Sequence, residues 1–203
     1  IGPHTISVPR IEPAEGVKMS LNPPYKLTDE EFKKVVAVLR LSVPYTGIIM
    51  STRESPQLRD LLLNLGVSQI SAASRTSPGG YSDLTKDTST GQFSLSDQRS
   101  LDEIVGVLIK YDFIPSFCAA CYRKERTGKA FMDLAKPGTI KGKCSMNALI
   151  TLKEYLDDFA SERVKKEGYR LIERYFKKLD RKDQERLKVF YTHVDLGIRD
   201  EYI

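Results

Sequence analysis

Residues 47–74 read GIIMSTRESPQLRDLLLNLGVSQISAAS, and this stretch decides the fold class. The apolar run at 47–51 is typical of a strand buried on both faces. Ser55-Pro56 marks the start of a helix and Gly66 its end. We expect the apolar face of this helix to consist of Leu58, Leu61, Leu62 and Leu65. Residues 69–74 predict a further strand, and strand–helix–strand order indicates parallel strands in an α/β fold.

The preceding sequence shows the same alternation. Residues 5–10, TISVPR, are a short strand candidate. Thr28-Asp-Glu-Glu31 is a capping box that starts a helix, which Pro44 ends. The inner face of that helix is predicted to contain Phe32, Val35, Val36 and Leu39. Three strands are too few for a closed (β/α)8 TIM barrel of about 250 residues. We therefore expect the last three strands and helices of such a barrel, with the earlier strands preceding Ile1.

The second half of the sequence is predicted to be mainly helical. Residues 75–96 are rich in Ser, Thr, Gly and Asp and indicate a long loop. A helix is expected over 101–111, and helices again from 146 nearly to the end. Apolar stripes on these helices comprise Leu152, Leu156, Phe159, Leu171, Ile172, Tyr175 and Phe176. We expect two domains: a barrel part over 1–96 and a helical domain over 97–203.

Composition excludes several classes of protein. The 203 residues include 32 Lys and Arg against 27 Asp and Glu, a net charge of +5. These basic residues are interleaved with acidic ones, which argues against a nucleic-acid partner. No apolar run approaches the roughly 20 residues of a membrane span, and no signal peptide is visible. We therefore expect a cytoplasmic protein with no membrane partner.

Three cysteines, Cys118, Cys121 and Cys144, lie within one segment. Their odd number and the absence of an export signal indicate a reducing compartment. Four basic neighbours favour thiolates: Arg123, Lys124, Lys141 and Lys143. The spacing fits a structural zinc site with His4 or His193 as the fourth ligand. It also fits inert buried thiols, or a 4Fe-4S cluster in which one iron stays open to an external ligand.

Three stretches carry a resemblance to a known family. Residues 2–10 read GPHTISVPR, residues 70–81 read ISAASRTSPGGY, and residues 118–149 contain the cysteines. Together they resemble the HydG family of FeFe-hydrogenase maturases, which are radical-SAM tyrosine lyases, and the resemblance covers essentially the whole chain. The barrel motifs are also similar to those of the 2-iminoacetate synthases of thiamine biosynthesis, which lack the cysteine segment.

The resemblance implies a carbon–carbon lyase. Its family cleaves L-tyrosine with a 5′-deoxyadenosyl radical from S-adenosyl-L-methionine (SAM), releasing p-cresol and a glycine-derived fragment that becomes CO and cyanide. Cys118, Cys121 and Cys144 match the ligands of the auxiliary 4Fe-4S cluster on which these products are assembled. His4 matches the protein ligand of an additional iron, which free cysteine can also ligate. The other implied partners are hydrogenase maturation proteins, in an anaerobic organism.

The remaining assignments follow from the expected barrel, whose chemistry lies at the carboxyl ends of the strands. Our hypothesis is that Arg53 with Ser71 or Ser74 binds the tyrosine carboxylate and that Arg10 contacts SAM. No catalytic residue is assigned, and His193 is interpreted as a core or surface histidine.

The sequence departs from the family in one respect. It contains no Cys-x3-Cys-x2-Cys motif for the radical-SAM 4Fe-4S cluster. We therefore expect this chain to be the C-terminal portion of the enzyme, which would not generate the radical by itself and would associate with the N-terminal barrel half. The alternatives are a zinc-stabilised, non-catalytic α/β interaction module and a lyase of the 2-iminoacetate synthase type.

Overall fold

The first compact unit, Gly2–Ser100, contains a three-stranded parallel sheet in the computed structural model, which describes residues 2–82 and 91–203. The strands are Thr5–Ser7 (β1), Gly47–Met50 (β2) and Gln69–Ile70 (β3), in the order β1-β2-β3. Thr5 pairs with Gly47, and Ile49 pairs with Gln69. The parallel arrangement expected from the alternation of strands and helices is confirmed.

The two longer helices of this unit begin where the sequence predicts, whereas the short first helix was not predicted. The helices are Lys18–Leu21 (α1), Asp29–Ser42 (α2) and Pro56–Leu63 (α3). The Thr28 hydroxyl accepts from the Glu31 amide, and the Glu31 carboxylate accepts from the Thr28 amide, so the capping box is confirmed. The Ser55 side chain accepts from the Leu58 amide at the start of α3.

The expected apolar face of α3 is partly wrong. Leu58 and Leu62 are buried, but Leu61 is 53% exposed and Leu65 is 36% exposed. The buried face is completed instead by Leu63 and by Arg59, which is fully buried and ion-paired with Asp97. An arginine in the middle of the buried arc cannot be recognised from apolar periodicity.

The third strand is shorter than expected. It ends at Ile70, and it cannot reach Ser74 because Ala73 has a φ of 50°, a left-handed conformation that interrupts an extended chain. The first strand ends at Ser7, before Pro9, which has no amide hydrogen for a ladder. The loop expected over 75–96 falls partly, at 83–90, outside the described residues.

The second compact unit, Leu101–Ile203, is helical wherever it has regular structure. Its helices are Leu101–Lys110 (α4), Ala120–Arg123 (α5), Gly128–Ala135 (α6), Lys141–Asp158 (α7), Glu162–Phe176 (α8) and Arg181–Asp195 (α9). None of the helices in the described part of the chain could span a bilayer. Helix α7 is the central element, because Leu149, Leu152 and Leu156 from it lie in the core with residues of α8 and α9.

Close packing of α8 against α7 depends on a glycine. A Cβ at Gly168 would lie 2.6 Å from the methyl carbons of Leu156. The expected stripe on α7 is wrong at its end, since Phe159 is 75% exposed. Phe159 caps the helix, and the chain leaves the helical path there.

A buried lysine links three helices of this unit. Lys153 of α7 donates to Asp157 (2.8 Å), to Asp195 of α9 (2.6 Å) and to the Tyr169 hydroxyl of α8 (3.1 Å). Burial lowers the pKa of Lys153, but these three hydrogen bonds outweigh it and raise the pKa above its usual value. The ammonium group therefore stays charged inside the bundle.

Candidate functional site

The first two cysteines lie at a short helical turn. Cys118 precedes α5 and Cys121 lies within it, and both are partly buried. The Ala120 amide donates to the sulfur of Cys118 at 3.4 Å. Ala120 is itself buried and anchors the turn. An amide hydrogen bond to sulfur stabilises a thiolate, which is the form that binds metals.

The third cysteine, Cys144, lies in the first turn of α7 and is exposed as a residue. Desolvation raises the pKa of its thiol, the charges of Cys121 and Cys118 raise it further, and Arg126 lowers it. The charges of the three cysteines therefore act on one another. A cation such as Arg126 beside them offsets the charge of an anionic cluster.

The geometry can be tested against the metal sites that the sequence left open. In the described ranges 2–82 and 91–203, no three or more His, Cys, Asp or Glu side chains form a group that could hold a metal ion. Sulfurs around one zinc lie about 4 Å apart, since each Zn–S bond is about 2.3 Å. Thiolates that each bind a different iron of one cube need not approach so closely. The binding of a 4Fe-4S cluster by Cys118, Cys121 and Cys144 therefore stays a prediction.

The two histidines have different surroundings. His4 precedes β1, and its carbonyl accepts from the Gly47 amide at 3.0 Å. Its assignment as an iron ligand stays a prediction. His193 of α9 has its Nδ1 2.6 Å from a carboxylate oxygen of Glu201, and its ring meets Phe190 edge-on.

Arg10 is held by carboxylates and a carbonyl. Its Nε and one terminal nitrogen bind Glu54, which is 1% exposed. The other terminal nitrogen binds Asp29 at 2.9 Å and donates to the Leu27 carbonyl at 3.0 Å. Its guanidinium also lies over the Phe32 ring. These contacts raise the pKa of Arg10, the hydrogen bond to Glu54 being the largest cause. The contact of Arg10 with SAM stays a prediction. In the structure Arg10 also packs on Phe32 and pairs with Glu54.

The residues expected to bind tyrosine lie after β2 and β3. Arg53 follows β2, and its guanidinium lies over the Phe93 ring. Ser71 follows β3 directly, and its amide donates to the Met50 carbonyl at 3.0 Å. Ser74 is partly buried and comes after the left-handed Ala73. A cavity of about 240 Å³ is lined by Phe93 but not by Arg53, Ser71 or Ser74. Because β2 and β3 are parallel neighbours, their carboxyl ends lie at one edge of the sheet.

Sequence reasoning missed a buried ionic network that contacts the backbone of Ser71. Arg59 of α3 donates to Asp97 and to the Ser71 carbonyl. Arg99 donates to Asp97 at 2.6 Å and to Asp60 at 3.0 Å. The network therefore ties the residues after β3 to α3. The only signal in the sequence was a charged residue within an otherwise apolar helix face.

Comparison with known proteins relates both units to one group of enzymes. The family model for the Biotin and Thiamin Synthesis associated domain matches residues 7–114. The 2-iminoacetate synthases of Escherichia coli (strain K12) and Salmonella typhimurium (strain LT2) are each 31% identical over 105 residues, which is 52% of this chain and 26% of each relative.

Solved structures extend the similarity to the whole chain. A crystal structure of HydG, a maturase of the FeFe-hydrogenase, has a TM-score of 0.92 and 44% identity, covering 100% of this chain and 44% of that one. HydG from Carboxydothermus hydrogenoformans has a TM-score of 0.70 and 42% identity, covering 94% and 40%. The resemblance noted in the sequence is confirmed, and the chain spans less than half the length of these relatives.

Proposed function

The chain belongs to the Biotin and Thiamin Synthesis associated domain family, and we propose that it forms part of a radical-SAM tyrosine lyase of the HydG type. The overall reaction would cleave L-tyrosine to p-cresol and a glycine-derived fragment, which is converted to CO and cyanide for FeFe-hydrogenase maturation. In this proposal β1–β3 with α2 and α3 are the last units of a TIM barrel over 1–96. Residues 97–203 form the cluster-binding domain.

One observation carries this proposal over a thiamine-type lyase. HydG matches 100% of this chain, including the segment of the three cysteines, whereas the 2-iminoacetate synthases match 52% of it. The HydG match thus covers all three cysteines that we propose as cluster ligands.

Cys118, Cys121 and Cys144 would hold the auxiliary 4Fe-4S cluster, and His4 would ligate an additional iron. The cluster, when bound, would supply an iron at which small diatomic ligands can be assembled. The chain's own part is to supply thiolates, to which the Ala120 amide donates a hydrogen bond and Arg126 a compensating charge. We further propose a cytoplasmic location in an anaerobic organism, because exposed clusters are sensitive to oxygen.

On the barrel side, Arg53 would bind the tyrosine carboxylate with a hydroxyl from Ser71 or Ser74. A guanidinium can hold a carboxylate through two parallel hydrogen bonds, which fixes the orientation of the amino acid. SAM and its own 4Fe-4S cluster would be bound mainly by residues outside this sequence, which has no Cys-x3-Cys-x2-Cys motif.

Metal analysis after anaerobic reconstitution tests the cluster. We expect at least about four irons and four sulfides per chain, the content of one cube, and about five irons where the additional site at His4 is also filled. Cys144→Ser should lower both, while Ser145→Ala, at the neighbouring exposed position, should lower neither. One zinc per chain without sulfide would contradict the proposal and support the zinc-stabilised interaction module instead.

A further inference from the structure

A hydrogen-bond chain connects the segment of Cys118 with the helix of Cys144. The buried Thr151 hydroxyl accepts from the Phe117 amide at 3.1 Å and donates to the Asn147 carbonyl at 3.0 Å. Phe117 directly precedes Cys118, and Asn147 lies three residues after Cys144. We propose that Thr151 is a positioning residue that sets the separation of these two thiols before any metal binds. Its importance for the cluster rests on the proposed function.

A second contact fixes the orientation of the same segment. The Phe117 ring stacks on the Tyr155 ring, with centroids 5.0 Å apart. Tyr155 lies one helical turn after Thr151, and its hydroxyl is 3.4 Å from a carboxylate oxygen of Asp102. Ring stacking alone tolerates sliding of one ring over the other. The directional hydrogen bond to Thr151 is therefore what defines how far along α7 the segment lies.

The 197–203 segment supports the same arrangement from its other side. The Ile203 amide donates to the Asn147 side chain at 2.8 Å, and the Ile203 side chain is buried. Asp200 pairs with Arg123 of α5 at 3.2 Å, and its amide donates to Glu154 of α7 at 2.9 Å. The segment thus contacts the helices of Cys121 and Cys144. Asn147 lies where both sets of contacts meet.

Removal of the hydroxyl should loosen this arrangement while leaving the helix intact. Thr151→Val keeps the branched shape but leaves the partly buried Phe117 amide without its acceptor. Thr151→Ser keeps the hydroxyl. Thr192→Val is the matched control, because the exposed Thr192 hydroxyl of α9 also donates to the carbonyl four residues earlier, at 3.0 Å.

The experiment measures thiol positions without metal. In reduced, iron-free protein carrying Cys121→Ser, a short bifunctional maleimide can link only Cys118 and Cys144. Thr151→Val should slow this cross-link about five- to tenfold, the effect of losing one hydrogen bond of about 1 kcal/mol. Thr151→Ser and Thr192→Val should leave the rate unchanged. In protein with all three cysteines, Thr151→Val should also lower iron and sulfide after reconstitution.

Two outcomes would overturn the inference. One is an equal cross-linking rate in Thr151→Val and Thr192→Val. The other is fast hydrogen exchange of the Phe117 amide in the unsubstituted protein, which stays informative if Thr151→Val does not fold. Slower cross-linking by Thr151→Val in a protein that takes up no iron and sulfide would support the positioning role and contradict the proposed cluster.

Discussion

The guanidinium carbon of Arg53 lies 4.3 Å from the centre of the Phe93 ring. A stacked guanidinium presents its N–H groups within its own plane, so that the ring covers one face and leaves the edges for hydrogen bonds. Arg10, by contrast, has its nitrogens bound to Glu54, Asp29 and the Leu27 carbonyl. The geometry therefore favours Arg53 over Arg10 as the group that receives a substrate carboxylate.

Arg53→Lys should weaken L-tyrosine binding by the active enzyme at least about tenfold, because a lysine keeps the charge but cannot bind a carboxylate bidentately or stack in the same way. Phe93→Leu should weaken it less, about two- to fivefold, the usual strength of one cation–π contact. Equilibrium dialysis with labelled tyrosine measures both. Arg181→Lys, at a side chain that is 93% exposed, is the control. Unchanged affinity in Arg53→Lys would refute the assignment.

Arg10→Ala should destabilise the protein by roughly 3–5 kcal/mol, the typical cost of leaving a buried charge without its partner. The charge left behind is Glu54, whose side chain is 1% exposed. Urea unfolding followed by circular dichroism is suitable, since the chain has no Trp. Arg181→Ala removes the exposed ion pair with Glu185 and should change the free energy of unfolding little. Reduced SAM affinity with unchanged stability would show that Arg10 acts on SAM alone.

The sequence predicted the parts of the fold that depend on local signals. The capping box at Thr28, the Ser55-Pro56 helix start and the parallel strand order all follow from short-range rules, and all are present. That Cys118, Cys121 and Cys144 hold a cluster stays a prediction from the family resemblance, since spacing alone could not distinguish a cluster from a zinc site.

Features that depend on tertiary contacts were not predictable. Arg59 is buried because Asp97, 38 residues away, supplies its counter-charge, and no local pattern encodes that distance. The role of Thr151 likewise depends on an amide 34 residues earlier in the chain. In both cases a polar residue on an apolar helix face was the only local indication.

His4→Ala should remove about one iron per chain after reconstitution and leave about four sulfides, if His4 ligates only an iron additional to the cube. Formation of p-cresol by the active enzyme should persist, because it does not require that iron. His193→Gln is the matched control, since His193 is paired with Glu201. A parallel loss of sulfide in His4→Ala, or an equal loss of iron in His193→Gln, would contradict the role of His4.

Asp97 should make the stability of the protein dependent on pH in the acid range. Burial alone would raise the pKa of Asp97, but hydrogen bonds from Arg99 and the charge of Arg59 outweigh it and hold the pKa below its ordinary value. A carboxyl with a lowered folded-state pKa stabilises the protein above its unfolded-state pKa, near 4. That stability should be lost as the pH falls from about 4 towards the lower folded-state value.

Asp97→Asn tests this dependence directly. At neutral pH the substitution should lower the free energy of unfolding by roughly 3–5 kcal/mol, because Arg59 stays buried without its counter-charge. The difference in free energy of unfolding between this variant and the unsubstituted protein should shrink as the pH falls through the acid range, because Asp97 itself becomes neutral there. Urea unfolding of the iron-free protein at pH 7, 5, 4 and 3 measures this, with the exposed Glu185→Gln as control. A difference that stays constant with pH would show that the charge of Asp97 does not stabilise the fold.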